Sequence, residues 1–260
     1  MQAGPGGKSG LGKSGLGKSE PGPRLNQLLG RIVHVHIPKT AGSALQAAFR
    51  QTYGDQLRSY PEHFESRYGD MPYSGFNFYA GHIGYKIARE IGGDLITILR
   101  DPVDRFLSTY FYLRQLHESK AELSHKTSLA ARYDLDQFIE ITDEPDLEAE
   151  LHNRMTWQLA HSHRVELREE LTRAGVTDQD VLRMAVSNLG TFAIVGLQTD
   201  MAGFVAALRQ RYNAPFAIGR LNVTNARPAK TDLSLKTIER IRSWLYLDEE
   251  LYGAWVKARE

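Results

Sequence analysis

Four short apolar segments of this chain have the composition of buried strands, and helical periodicity separates each from the next. RIVHVHI, from Arg31 to Ile37, concentrates β-branched residues and ends at the turn PKTAG, after which SALQAAFRQTY is amphipathic. A short apolar run bounded by turn signals predicts a strand, and the following periodicity predicts a helix. A second strand is expected at Phe76 to Ala80, a short helix at Tyr85 to Glu90, and a clear strand, DLITIL, at Asp94 to Leu99. Pro102 then opens a long helix, because proline suits a first helical position that has no use for an N–H. From Asp134 to Leu189 the pattern is helical, with Thr177-x-x-Asp180 as a capping signature. TFAIVGL, Thr191 to Leu197, reads as the fourth strand, and two helices are expected to close the chain. Strands alternating with helices predict an α/β fold, a three-layer sandwich with a central parallel sheet flanked by helices. Ligands are then expected beyond the carboxyl ends of its strands.

The first 24 residues depart from this pattern. They are rich in Gly, Ser, Lys and Pro, repeat GLGKS, and lack the apolar side chains that offset ordering entropy. We read 1–24 as a disordered tail and 25–260 as one domain. The tail meets the pattern G-x4-G-K-[ST] twice, through Gly7, Gly12, Lys13 and Ser14 and again through Gly12, Gly17, Lys18 and Ser19. That motif binds phosphate only between a buried strand and a helix, and neither is expected here. Over the 260 residues, 32 Lys and Arg balance 31 Asp and Glu, so overall charge gives no reason to expect a nucleic-acid partner, and an anion site must be local. The absence of cysteine excludes disulfides, thiolate metal sites and a cysteine nucleophile. No apolar run approaches the roughly 20 residues of a membrane span, and a cytoplasmic location is expected.

Two segments carry anion-binding chemistry. In His36-Ile37-Pro38-Lys39-Thr40-Ala41-Gly42-Ser43, the residues Thr40 to Ser43 place backbone N–H groups at a helix start. Gly42 would let a ligand approach closely, and Lys39 adds a positive charge. In Arg100-Asp101-Pro102-Val103-Asp104-Arg105-Phe106-Leu107-Ser108, directly after DLITIL, Arg100 offers forked donors suited to phosphate and Ser108 a neutral donor nearly two helical turns in. Taken alone, the second segment also fits a turn in which Arg100 pairs only with Asp101 or Asp104.

Together, HIPKTAGSAL and LRDPVDRFLSTYFYLR resemble the sulfotransferase superfamily that uses 3′-phosphoadenosine-5′-phosphosulfate (PAPS), in particular the carbohydrate branch of heparan sulfate 2-O- and 6-O-sulfotransferases and their bacterial relatives. Weaker echoes lie in NRMTWQLA, FAIVGLQTDM, LNVTNARP and LDEELY. The resemblance implies a P-loop nucleotide-kinase-like sulfotransferase fold. It further implies that Lys39, Thr40, Ala41, Gly42 and Ser43 bind the 5′-phosphosulfate and that Arg100 and Ser108 bind the 3′-phosphate. Gly81-His82 matches a Gly-His that supplies the catalytic base in that branch, which nominates His82, with His36 as fallback. An imidazole titrating near 6.5 is well matched to take a proton from an attacking hydroxyl. Lys39 would also stabilise charge growing on the bridging oxygen.

No metal is required by this reading, and the nine histidines show no ligand spacing. Arg227 and Lys230 could touch phosphate or form an exposed basic pair. Tyr60, His63, Tyr68, Tyr73, Asn153, Arg154 and Trp157 are unranked candidates for acceptor contact. Two other functions remain open at this point, a nucleoside-triphosphate-dependent kinase and a non-catalytic glycan or nucleotide-binding module. Arg100 beside Asp101 would repel the Mg²⁺ that a kinase needs.

Overall fold

The computed structural model describes residues 31–59, 76–141, 143–162, 164–219 and 227–259. The tail expected over 1–24 and the candidates Tyr60, His63, Tyr68 and Tyr73 lie outside the described residues. Four strands form one all-parallel sheet: β1 (Ile32–Val35), β2 (Phe78–Gly81), β3 (Asp94–Leu99) and β4 (Ile194–Leu197), in the order β2-β1-β3-β4. Between β1 and β2 runs α1 (Gly42–Tyr53), and between β2 and β3 runs α2 (Tyr85–Ile91). Seven helices separate β3 from β4: α3 (Pro102–Glu118), α4 (His125–Arg132), α5 (Leu135–Phe138), α6 (Pro145–Leu151), α7 (Arg154–Ala160), α8 (Val165–Arg173) and α9 (Asp178–Leu189). The chain then forms α10 (Met201–Tyr212), α11 (Leu235–Ser243) and α12 (Tyr246–Lys257). Among the described residues three helices therefore follow β4, where the sequence pattern predicts two. Only Trp244 and Leu245 separate the last pair, too short a gap for periodicity to reveal.

Successive strand residues point to opposite faces, so each strand contributes to two cores. Val33, Val35, Tyr79, Leu95 and Leu99 pack with Ala88 and Ile91 of α2, Met155 and Leu159 of α7, and Val181 and Ala185 of α9. Ile32, Phe78, Ala80, Ile96, Ile98 and Ile194 pack with Leu45 and Phe49 of α1 and with Phe204 and Leu208 of α10. A third apolar cluster joins Val103, Phe106, Leu107 and Tyr110 of α3 to Phe138 of α5, Leu151 of α6 and Ile241 of α11. The sheet is thus covered on both faces, which is why its strands read as apolar runs instead of alternating ones.

Local chemistry sets the element ends. Asp101 caps α3 by accepting from the Asp104 N–H at 2.9 Å, with Pro102 at the first helical position. Thr177 and Asp180 form the expected capping box at α9. β2 starts at Phe78 instead of Phe76 because the Asn77 side chain is committed to the preceding loop, accepting from the Arg58 N–H at 2.9 Å and donating to the Gln56 carbonyl at 2.8 Å. β4 starts at Ile194 because the N–H groups of Thr191 and Phe192 still bond carbonyls of α9, those of Asn188 and Leu189.

Two of the weaker sequence echoes meet as a reciprocal cap. The Asn153 side-chain oxygen accepts from the Leu247 and Asp248 N–H groups at 2.9 and 3.3 Å, at the start of α12. Asp248 in turn accepts from the Met155 and Thr156 N–H groups at 3.2 and 2.8 Å, at the start of α7. Both residues are fully buried. Asn153 is therefore fixed in the scaffold and does not meet an acceptor. Trp157 is likewise packed in the core, with the Arg168 guanidinium 5.4 Å from its ring. No helix among the described residues is long and apolar enough to cross a membrane.

Candidate active site

In the order β2-β1-β3-β4, β1 leads on to a strand at one side and β3 to a strand at the other. The carboxyl ends of β1 and β3 therefore flank a topological switch point, the place where open α/β sheets leave a crevice for ligands. Both candidate anion-binding segments begin there.

After β1, the His36 N–H still donates to the Gly81 carbonyl at 3.0 Å, and the chain then turns. Thr40 is fully buried and its hydroxyl donates to the Ile37 carbonyl at 2.8 Å, so its side chain shapes the loop while its backbone remains for a ligand. Lys39 and Ala41 have φ of 67° and 72°. A left-handed conformation costs a residue with a side chain on the order of 1 kcal/mol, so surrounding contacts must hold this loop. No side chain caps α1, and the first-turn N–H groups have no intrahelical partner, which suits an anion. A Cβ at Gly42 would stand 2.0 Å from two atoms of the His36 ring, so the missing side chain makes room for His36.

After β3, Arg100 donates through Nη1 to the Lys39 carbonyl at 2.8 Å, tying the two loops together. Its Nε is buried and has no hydrogen-bond partner among the described residues. Desolvation first, then the positive charge of Arg227, pulls the Arg100 pKa down to about 10, against the pull of Asp104 and Asp101. Arg227 bonds the carbonyl and carboxylate of Asp104 at 2.7 and 3.1 Å, and Lys230 pairs with Asp101 at 2.9 Å. These basic residues are partly buried and gathered at the Arg100 turn, so they are not an exposed pair. Three cations face two carboxylates. Ser108 is buried on α3, and no hydrogen bond joins its hydroxyl to Arg100 among the described residues. The Lys39 ammonium lies 3.6 Å from the centroid of the Tyr112 ring. Burial, then repulsion from Arg100, lowers the Lys39 pKa to about 8, while Glu150 opposes the shift.

Beside these loops the structure adds something that the motifs alone did not reveal, a column of three imidazoles. His34 stacks on His36 with ring centroids 5.1 Å apart, and His36 meets His82 at 4.8 Å and a 57° tilt. His34 and His36 lie two residues apart and so project from one face of β1. The register Val35 with Gly81 places His36 and His82 side by side just past the strand ends. The column runs from core to surface. His34 is fully buried with neither ring nitrogen bonded among the described residues, His36 is half-buried and His82 is exposed. Burial and the neighbouring His82 lower the His34 pKa to about 3, and burial with nearby positive charge holds His36 well below the usual range.

His82 is itself lowered to about 4, by crowding from protein atoms and then by Arg154, with Glu150 pulling upward. Water reaches this exposed ring and offsets part of the crowding. Desolvation pushes the Glu150 carboxyl up, but Arg154, Lys126, His82 and Arg105 together outweigh it and the net shift is downward. Below the column, the Gln158 amide donates to the His36 and Ile83 carbonyls at 3.1 and 2.9 Å, and Arg154 bonds Gln158 at 3.1 Å. Arg154, an acceptor candidate from sequence, is buried and also bonds the Ala149 carbonyl, so it belongs to the support of the site.

A cleft of about 570 Å³ lined by His152, Trp157, Arg168, Asp178 and Tyr246 lies away from the strand ends. Tyr246 bonds Asp178 there, and Arg168 bonds the His152 carbonyl through its Nη1.

A four-stranded parallel sheet covered by helices on both faces, with a crevice at its switch point, defines an open α/β protein of the kind that binds ligands at its strand ends. The sequence profile described as the Sulfotransferase family matches residues 30–253, and the chain belongs to that family. No curated protein matches the chain at a significant level.

Proposed function

We propose that this sulfotransferase moves the sulfuryl group of PAPS to a carbohydrate hydroxyl, with His82 as general base. The observation that carries the reading is the Arg100–Lys39 bond at the switch point, which puts two cationic groups of separate loops at one place. The donor fits the residues present. Arg100 retains a buried, unbonded Nε for the 3′-phosphate, and α1 retains an uncapped N-terminus for the 5′-phosphosulfate. Ser108 would add a neutral donor to the 3′-phosphate.

In the reaction the acceptor oxygen forms a bond to sulfur while the bond from sulfur to the bridging phosphate oxygen breaks. The hydroxyl proton passes to His82, and adenosine 3′,5′-bisphosphate leaves with the electron pair. Lys39 stabilises the negative charge on the leaving oxygen more than it stabilises the ground state. Glu150 favours the imidazolium once His82 holds the proton. His36 and His34, held neutral by burial, keep the ring of His82 supported without competing for that proton.

Calorimetry with adenosine 3′,5′-bisphosphate tests the donor. Binding in the presence of a chelator is expected, with clear preference over 5′-AMP and over ATP with Mg²⁺. Arg100→Ala should weaken it by about 2 kcal/mol, the scale of a charge-assisted bond in a partly buried site. A requirement for Mg²⁺, or equal affinity for 5′-AMP, would reject the assignment.

A further inference from the structure

The first loop is held by the helix that follows β3 as well as by Arg100. Lys39 has no carboxylate within ion-pairing distance among the described residues, and its ammonium instead rests on the Tyr112 ring at 3.6 Å. Tyr112 stands four residues after Ser108 on α3, so the two occupy one stripe of that helix. Tyr112 is also one of the few large apolar side chains left exposed, at 38 %. Core packing therefore does not account for it.

We propose that Tyr112 is a positioning residue for Lys39: its ring face holds the ammonium beside the first loop before any donor arrives. The proposal rests on the reading of Lys39 as the group that meets the phosphosulfate. A lysine side chain has large rotamer freedom, and fixing it in advance removes that loss from the binding step. An aromatic face suits this better than a carboxylate. It attracts the cation without cancelling its charge, and the attraction is weak enough to yield to an anionic donor. The charged groups around Lys39 do not replace this function. Arg100 repels the ammonium, Glu150 attracts it from α6, and His36 stands beside it as a neutral ring. Loss of the ring should therefore leave the lysine less ordered and easier to deprotonate.

The test reads the lysine directly. Reductive methylation with ¹³C-formaldehyde gives each lysine an NMR signal, and Lys39→Arg identifies the one that belongs to Lys39. In the wild-type protein that signal should lie upfield through the aromatic ring current and titrate near 8. Tyr112→Phe keeps the ring and should keep both properties. Tyr112→Leu should lose the upfield shift and lower the midpoint by about half a pH unit, the size of one exposed cation–π contact. At pH 8 that shift reduces the charged fraction about two-fold, so bisphosphate binding should weaken about two-fold in Tyr112→Leu. An unchanged shift and midpoint in Tyr112→Leu would overturn the proposal. Should the signal behave as expected while the wild-type protein binds no bisphosphate, positioning is upheld and the donor assignment falls.

Discussion

Gly42→Ala isolates the contact between the first loop and the imidazole column. The backbone at Gly42 is not left-handed, so alanine is conformationally allowed, and in a helix it would ordinarily be favoured over glycine by up to about 1 kcal/mol. Packing reverses that preference. The new Cβ would stand 2.0 Å from Cδ2 and Nε2 of His36, whereas ordinary contact begins at 3.4 Å, so the ring must retreat by 1.4 Å (3.4 − 2.0). It cannot do so freely, because His34 stacks on it from the core and His82 lies against it. Overpacking of this kind costs about 1–3 kcal/mol. Urea unfolding should show a lower midpoint with an unchanged slope, and turnover should fall because the displaced ring presses on His82. Combining Gly42→Ala with His36→Ala removes the obstacle, so the double variant should be more stable than the sum of the single effects by about 1 kcal/mol or more. Additive losses, or a Gly42→Ala protein as stable as wild type, would show that the His36 ring does not need the space at Gly42.

Three other outcomes follow from the same geometry. His82→Ala should bind bisphosphate nearly as wild type but lose about 10²- to 10⁴-fold in turnover, measured as bisphosphate released from PAPS with carbohydrate acceptors. In the wild-type kcat/KM profile the acidic limb should lie below the 6.5 expected from sequence, since His82 stays neutral to lower pH, and the alkaline limb should lie near 8 as Lys39 loses its proton. His34, with its pKa depressed in the fold, contributes stability that is complete above about 6.5 and is lost as pH falls toward 3. His34→Leu should flatten that loss, and equal acid sensitivity in the two proteins, followed by circular dichroism, would contradict it.

The sheet was legible in the sequence because strands buried on both faces have to be apolar along their length, and DLITIL matched β3 at both ends. The errors fall where a polar side chain or a helix end claims the backbone, as at Asn77 and Thr191, which no periodicity reports. The two candidate anion segments could be picked out because Arg100 and the first loop are each continuous in sequence. Their contact was not, since it depends on β1 and β3 being neighbours. The imidazole column left a faint signal: His34 and His36 share strand parity, and Gly81-His82 ends the adjacent strand. Glu150 left none, and Gln158 left only its place in the echo NRMTWQLA. Gln158 reaches the His36 carbonyl across 122 residues, and only the packing of α7 under the sheet brings them together.

These contacts share a direction, in that the first loop is shaped almost wholly from outside itself. Arg100 holds the Lys39 carbonyl, Tyr112 holds its ammonium, His36 occupies the space at Gly42, and Gln158 holds the His36 carbonyl. Two left-handed residues in four would not keep this conformation alone, so the strain at Lys39 and Ala41 is offset by groups from β3, α3 and α7. A loop fixed in this way presents its N–H groups and its cation without reorganising when charge develops, which is the condition for electrostatic stabilisation of a transition state. It would also tie the two ends of the proposed donor site together. Arg100 would bind one phosphate through its Nε while its Nη1 sets the backbone that meets the other, so the two proposed phosphate sites would not be independent.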